Sequence, residues 1–289
     1  MNDRLFLLTA IHGALEAGKA ILQVYRSDFN VEIKVDKSPL TLADKRSHEI
    51  IIKRLSKFGI PILSEEGKDF PYAERKKWDT YGLIDPLDGT KEFVKKNGEF
   101  TVNIALIRRR KPAGGVVFVP DKGTLYFALN EVGSFKADSS DLVEVLDAGF
   151  VASFTGPTLS GENGQLDGIL DKIIDRSARL PVVSAPDQPF TIIGSRSHSS
   201  PELEEFVEAK RQEYRDVKLI SAGSSLKFCL VAEGKADIYP RTGPTMEWDT
   251  AAGQAIVENA GGRVFQFNSR EPLIYNKESL LNPWFVVLR

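Results

Sequence analysis

The stretch YGLIDPLDGTKEF, residues 81–93, constrains the fold more than any other part of the chain. An apolar run, Tyr81-Gly82-Leu83-Ile84, passes directly into Asp85, Pro86, a second acid at Asp88, and then Gly89-Thr90. Asp, Pro and Gly are common turn residues, which accounts for part of the pattern. A turn does not explain why a strand that reads as buried should end in carboxylates, because an unpartnered charge there is costly. The fold must bring something to Asp85 and Asp88.

Other acids occupy comparable positions. Glu65-Glu66 follows the short apolar run in IPILSEEG, and Asp249 opens the helix-like DTAAGQAIVENAGG. Thr41 and Asp44 have the spacing of a helix N-cap and its third residue. Each has a plain alternative: Asp249 as a helix cap, Asp44 as a capping-box member, Glu65-Glu66 as a solvated pair. Acids drawn from distant parts of a chain to strand ends and helix starts are also how an oxygen-ligand site for a hard cation is built, and Mg²⁺ prefers octahedral oxygen ligation. The histidines, His12, His48 and His198, are too few and too dispersed for a zinc centre. Cys229, the one cysteine, lies in LKFCLVAEG and reads as a small buried apolar residue; no disulfide can form within the chain, which fits a reducing compartment.

The 289 residues carry 38 basic and 40 acidic side chains, a net charge of −2, so there is no electrostatic case for a nucleic-acid polymer or an anionic membrane as partner. Near the N-terminus, Leu5, Leu8, Ile11, Leu15, Ile21 and Leu22 recur at helical spacing, with acids at Asp3 and Glu16. That pattern predicts an amphipathic helix over 3–26 rather than a signal peptide, no run approaches a bilayer span, and a cytoplasmic location is expected. A second helix follows Thr41 and closes at Gly59-Ile60-Pro61. FTVNIALIRR, AGGVVFVPD, GTLYFALN and GSFKAD read as strands joined by tight turns and hence antiparallel. From 191 onward strands and helices alternate. The expected organisation is an N-lobe over 1–150, a connecting insertion over 151–190 with one helix at LDGILDKIIDR, and a C-lobe over 191–289, together a layered α/β fold.

The order of the acidic motifs, strand–SEE, strand–DPLDGT and a distant WDTAAG, resembles the magnesium-dependent, lithium-sensitive phosphatases related to inositol monophosphatase. The resemblance covers nearly the whole chain. KSPLTLAD matches the family's entry segment, and GSSLKFCLVAEGKADIYPRTGPTMEWDTAAG is similar to the branch acting on 3′-phosphoadenosine 5′-phosphate (PAP), the 3′(2′),5′-bisphosphate nucleotidases. The resemblance implies an αβαβα sandwich with an antiparallel N-lobe sheet. It implies one Mg²⁺ on Glu65, Asp85 and the Leu87 carbonyl, a second on Asp85, Asp88 and Asp249, and a weaker third leaning on Glu65. It further implies a catalytic water oriented by Thr90 and Asp44, with phosphate held by the amides of Gly89 and Thr90.

For the substrate, the resemblance places Gly223, Ser224, Lys227, Asp249 and His198 against the nucleotide. Arg241, in ADIYPR, stands where the inositol phosphatases have a glutamate that meets inositol hydroxyls. A guanidinium suits a second phosphate better than a neutral polyol ring. The expected reaction is hydrolysis of PAP to AMP and phosphate, with the sulfated analogue PAPS as a second substrate. The alternatives are an inositol or other sugar monophosphatase and a nucleotide-binding sensor without turnover. An aspartyl-nucleophile phosphatase is disfavoured because Pro86 occupies the nucleophile's place two residues before Asp88.

Overall fold

The computed structural model describes residues 1–27, 31–33, 39–142, 144–146, 163–181, 189–196 and 201–289. Helix α1, Asp3–Tyr25, begins at Asn2, whose side chain accepts from the Leu5 amide. Two short strands, β1 (Val31–Ile33) and β2 (Pro39–Thr41), pair as an antiparallel ribbon that the sequence did not announce. Helix α2, Leu42–Leu55, starts as expected at Thr41, with Asp44 closing the capping box.

Seven strands form the larger sheet, in the order β3 (Ile62–Ser64), β4 (Thr80–Asp88), β5 (Thr101–Arg108), β6 (Lys111–Val119), β7 (Thr124–Leu129), β8 (Gly133–Asp138), β9 (Ala178–Arg179). The expected antiparallel sheet holds from β4 to β9, but β3 runs parallel to β4. That parallel pair places Ser64 opposite Ile84, so Glu65 and Asp85 leave the same end of the sheet side by side. Two short helices, α3 (Tyr72–Arg75) and α4 (Thr90–Val94), lie before β4 and directly after it.

Alternation along the strands separates two cores. Val102, Ile104 and Leu106 of β5, Val116 and Phe118 of β6, and Leu125 and Phe127 of β7 face α1 and α2. Ala105, Ile107, Val117, Val119, Tyr126 and Ala128 face the opposite way, onto helices α7 (Leu226–Ala232) and α8 (Glu247–Asn259). Gly115 permits α8 to approach closely, since a Cβ there would lie 2.7 Å from the Ala252 carbonyl oxygen.

Beyond those helices lies a five-stranded sheet in the order β11 (Val217–Ala222), β10 (Phe190–Ser195), β12 (Ile238–Arg241), β14 (Phe285–Leu288), β13 (Arg263–Gln266). β10, β11 and β12 are parallel, whereas β14 is antiparallel to both its neighbours. Ile193, Tyr239, Phe285 and Val287 point inward, while Ile192, Ile238 and Val286 pack with Leu203 and Val207 of helix α6 (Pro201–Glu213). The result is the expected αβαβα succession of layers.

Within 151–190 the described residues are 163–181, 189 and 190. Helix α5, Asn163–Asp175, sends Ile169, Leu170 and Ile173 into the α1 core, and Asp171 pairs with Arg4. β9 then adds the seventh strand beside β8. Helix α5 and β9 are therefore built into the first lobe.

Candidate active site

A cavity of about 380 Å³ opens where β10, β11 and β12 end, facing the end of β4 and the start of α8. Crevices beyond the carboxyl ends of parallel strands are the usual binding places in α/β folds. Glu65, Asp85, Leu87, Asp88, Gly89, Thr90, Gly223, Ser224, Lys227, Arg241 and Asp249 all line it. Asp44 does not line the cavity and connects to it through Thr90. His198 lies outside the described residues.

The DPLDGT turn explains how one short segment contributes so many groups. β4 pairs regularly with β5 as far as Asp85 opposite Asn103, then shifts register before Asp88 meets Thr101. Such a bulge re-aims side chains at a strand end. The Leu87 amide donates to Asp85 Oδ1 at 3.0 Å, and Ser47 Oγ donates to the Pro86 carbonyl at 2.6 Å. Gly89 then takes φ = 87°, the left-handed region that favours glycine, and starts α4.

Asp44 is 1% exposed. Its Oδ2 accepts from the Thr41 amide at 2.7 Å and the Thr41 hydroxyl at 2.6 Å. Its other oxygen lies 3.3 Å from Thr90 Oγ1, which is also 3.2 Å from the Leu87 carbonyl oxygen. Thr90 has one hydroxyl proton and can donate to one of these acceptors at a time.

The acids converge. Asp85, Asp88 and Asp249 each offer a carboxylate oxygen within 4.8 Å of the others, and the Glu65 and Asp85 carboxyl groups lie within hydrogen-bonding reach. Burial pushes the Asp85 carboxyl well above the usual range, and the charges of Glu65, Asp88 and Asp249 add to it. Asp249 is raised by burial and then by the Asp88 charge, although the Met246 amide donates to its Oδ2 at 2.8 Å. Asp249 is the third residue of α8, not its opening residue as the sequence suggested. Acids that raise one another in this way fit a shared cation, and a donor set made only of oxygen suits a hard divalent ion.

Positive charge lines the same cavity. Lys227 is 5% and Arg241 9% exposed. Burial lowers the Lys227 ammonium to about 8; it donates to the carbonyls of Ser224 at 2.5 Å and Ala222 at 3.4 Å and lies over the Tyr239 ring. Arg241 donates to the Pro244 carbonyl at 3.0 Å. Neither makes an ion pair with a carboxylate among the described residues. Two buried cations with no carboxylate in ion-pair contact among the described residues thus line a cavity that also holds the acids, and the charges of Asp88, Glu99 and Glu92 act on Lys227.

Among the residues at the site that were not singled out in the sequence, three hold Asp88 or Gly223. Asn103 and Ser225 contact Asp88, and Glu99 holds the Gly223 amide at 2.8 Å while forming a two-pronged ion pair with Arg196 at 2.7 and 2.8 Å. Asn103 carried a signal, being the amide within the apolar run FTVNIALI. Ser225 and Glu99 carried none, since exposed serines and glutamates abound.

The fold, the carboxylate cluster and the order of motifs define a metal-dependent phosphatase class, and a model of the inositol monophosphatase family matches residues 3–284; the chain belongs to that family. Its relatives narrow the likeness. It is 42% identical over 279 residues to the 3′(2′),5′-bisphosphate nucleotidase CysQ of Salmonella typhimurium, covering 95% of this chain and 96% of that one. The CysQ of Haemophilus influenzae is 32% identical over 278 residues, covering 95% and 89%. The crystal structure of CysQ from Bacteroides thetaiotaomicron matches with a TM-score of 0.82 at 47% identity, covering 98% of this chain and 96% of that one. The inositol monophosphatase of Thermotoga maritima, at 23% identity and a TM-score of 0.66 over 99% and 92% of the two chains, shares the fold.

One helix among the described residues, Asp3–Tyr25, is long and apolar enough to cross a membrane, and 72% of its most apolar stretch is buried against the rest of the protein. It is a core helix here, packed on α2 and the large sheet.

Proposed function

We propose that the chain is a Mg²⁺-dependent 3′(2′),5′-bisphosphate nucleotidase that hydrolyses PAP to AMP and inorganic phosphate, with PAPS as a second substrate. What carries this reading is the pair of buried cations, Lys227 and Arg241, lining the cavity that also holds the acid cluster. A monophosphorylated polyol offers one phosphate, which the cation at the acids would satisfy. A bisphosphate offers a second dianion for the two cations. The identity to CysQ proteins supports the same substrate.

Glu65, Asp85, Asp88, Asp249 and the Leu87 carbonyl would hold the magnesium ions, two or three in number. When bound, they supply Lewis-acid polarisation of the phosphoryl group and make water acidic enough to attack near neutral pH. The chain's own contribution is orientation. Thr90 accepts a hydrogen bond from the attacking water once its own proton is committed to Asp44, and Asp44 is fixed by its two bonds from Thr41. The amides of Gly89 and Thr90 hold the phosphoryl oxygens, Gly89 admitting close backbone approach. Lys227 and Arg241 grip the 5′-phosphate, with Gly223 and Ser224 against the nucleoside. The P–O bond to the 3′-oxygen breaks as water's oxygen bonds to phosphorus, and the proton that water gives up ends on the departing 3′-oxygen. No phosphoenzyme forms.

The N-lobe, the 151–190 segment and the C-lobe act as one catalytic unit. Cys229, buried in α7, accords with a cytoplasmic, reducing setting. Phosphate release from PAP and inositol 1-phosphate, at matched concentrations with and without Mg²⁺, tests the reading. Strong Mg²⁺-dependent preference for PAP is expected; preference for inositol 1-phosphate would remove the assignment of Lys227 and Arg241.

A further inference from the structure

Three donors converge on a single oxygen of Asp88. Its Oδ2 accepts from the Ser225 amide at 2.6 Å and the Ser225 hydroxyl at 2.8 Å, with Asn103 Nδ2 at 3.4 Å. Asn103 Nδ2 also donates to Ser225 Oγ at 2.8 Å, and the Thr101 hydroxyl donates to Asn103 Oδ1 at 2.9 Å. The threonine thus fixes which way the amide faces, and the amide fixes the serine. Ser225 Oγ lies in addition 2.7 Å from the main-chain oxygen of Asp249. Having one proton, it donates either to Asp88 or to that carbonyl while accepting from Asn103. Ser225 is 2% and Asn103 1% exposed.

We propose that Ser225, oriented by Asn103 and Thr101, is a positioning residue that holds Asp88 and the first turn of α8 in the arrangement that receives a divalent cation. The donors gather at Oδ2, through the Ser225 amide even when the hydroxyl proton goes to the Asp249 carbonyl, which leaves Oδ1 of Asp88 for the ion. One side chain touches both the Asp88 carboxylate of the β4 turn and the Asp249 main-chain oxygen of α8, so it ties together the two segments, far apart in the sequence, that carry these acids. The preceding Ser224 has φ = 47°, an uncommon conformation for a residue with a side chain, and it turns the chain so that the amide and hydroxyl of Ser225 both reach Asp88. Partners of this kind orient metal ligands, and their loss commonly costs 10- to 100-fold in metal affinity.

The inference rests on the reading that Asp88 and Asp249 hold a cation, and the experiment separates the two. Full-length wild type, Ser225→Ala, Ser225→Thr and Asn103→Ala are stripped with chelator, then titrated with Mg²⁺ by calorimetry and by thermal shift, without substrate. Wild type is expected to bind. Ser225→Ala should need about tenfold more Mg²⁺ for half-saturation, with little change in its cation-free melting temperature. Asn103→Ala should shift in the same direction, and Ser225→Thr, which keeps the hydroxyl, should recover most of the affinity. A wild type that ignores Mg²⁺ overturns the metal reading and this inference with it. A Ser225→Ala protein that melts lower without cation yet binds Mg²⁺ like wild type overturns the positioning role alone. Should Ser225→Ala not fold, an Asn103→Ala protein with wild-type Mg²⁺ affinity does the same.

Discussion

Lys227 offers the sharpest test of the proposed phosphate-binding role, because its burial works against stability. Burial takes its ammonium from the ordinary 10.5 to about 8. At about 1.4 kcal/mol per unit, the charged side chain costs the cation-free, substrate-free protein ~3 kcal/mol at neutral pH. Between pH 8 and 10.5 the folded protein carries the neutral amine while the unfolded chain is still protonated. The unfolded state then binds more protons, so this contribution rises with pH across that window and is constant outside it. Lys227→Met removes the titration. It also removes donors to the Ser224 and Ala222 carbonyls, worth about 1 kcal/mol each. The variant should therefore match wild type or exceed it by ~1 kcal/mol at pH 7, and fall behind by ~2 kcal/mol near pH 10.5. Urea unfolding of both proteins, in chelator, at several pH values measures the difference, in which the other lysines cancel. In turnover at pH 7 the same variant should raise KM for PAP by about 10- to 100-fold, the usual worth of a charge-assisted hydrogen bond, and leave inositol 1-phosphate hydrolysis nearly unchanged. A stability difference independent of pH would refute the burial argument. An unchanged KM for PAP would refute the phosphate-binding role.

The remaining expectations concern the acids and their supports. Thr90→Val should lower kcat by about 100-fold or more at saturating Mg²⁺, with KM for PAP little changed, in steady-state phosphate release; an unaltered kcat would remove Thr90 from water orientation. Because Asp85 and Asp249 sit well above the ordinary carboxylate range without a cation, Mg²⁺ binding should release protons and tighten as pH rises from mildly acidic to neutral. Calorimetry in buffers of different ionisation enthalpy reads this directly, and a pH-independent affinity with no proton release would contradict it. Glu247, fully buried, accepts from the Asn276 amide at 2.7 Å, the Lys277 amide at 2.9 Å and Lys277 Nζ at 2.7 Å. Glu247→Ala leaves that ammonium without its counter-ion and should cost about 3 kcal/mol or more in urea unfolding; a loss under about 1 kcal/mol would mean Asn282 and the Ile274 carbonyl suffice.

The site was legible in the sequence where chemistry conflicts with burial. Asp85 after Leu83-Ile84 and Arg241 after Ile238-Tyr239 are charges at the ends of apolar runs, and each turned out to line the cavity. The long helices and the β5–β8 meander were legible because their periodicity is regular over many residues. What escaped depended on partners remote in sequence. β9 is two exposed residues whose strand character comes wholly from lying beside Phe135 and Lys136. The parallel pairing of β3 with β4 spans a connection that holds only the one-turn helix α3, too little for the usual helical crossover to be read from it.

Ser225 shows why the most consequential contacts were the least visible. Ser224 and Ser225 are identical in type and adjacent, so no pattern in GSSLKF tells which hydroxyl meets Asp88. The choice follows from the left-handed turn at Ser224, which lies at the end of β11, where Gly223 packs so tightly that a Cβ would come within 2.7 Å of the Glu99 carbonyl oxygen. Glu99 is in turn held by Arg196 from the end of β10. The position of one hydroxyl is thus set by a chain of contacts running through both lobes. The acids could be read from the sequence because each is anomalous where it stands. The contacts that hold the site could not, because these belong to Ser225, Asn103 and Glu99, residues that become unusual only once the two sheets have been brought together.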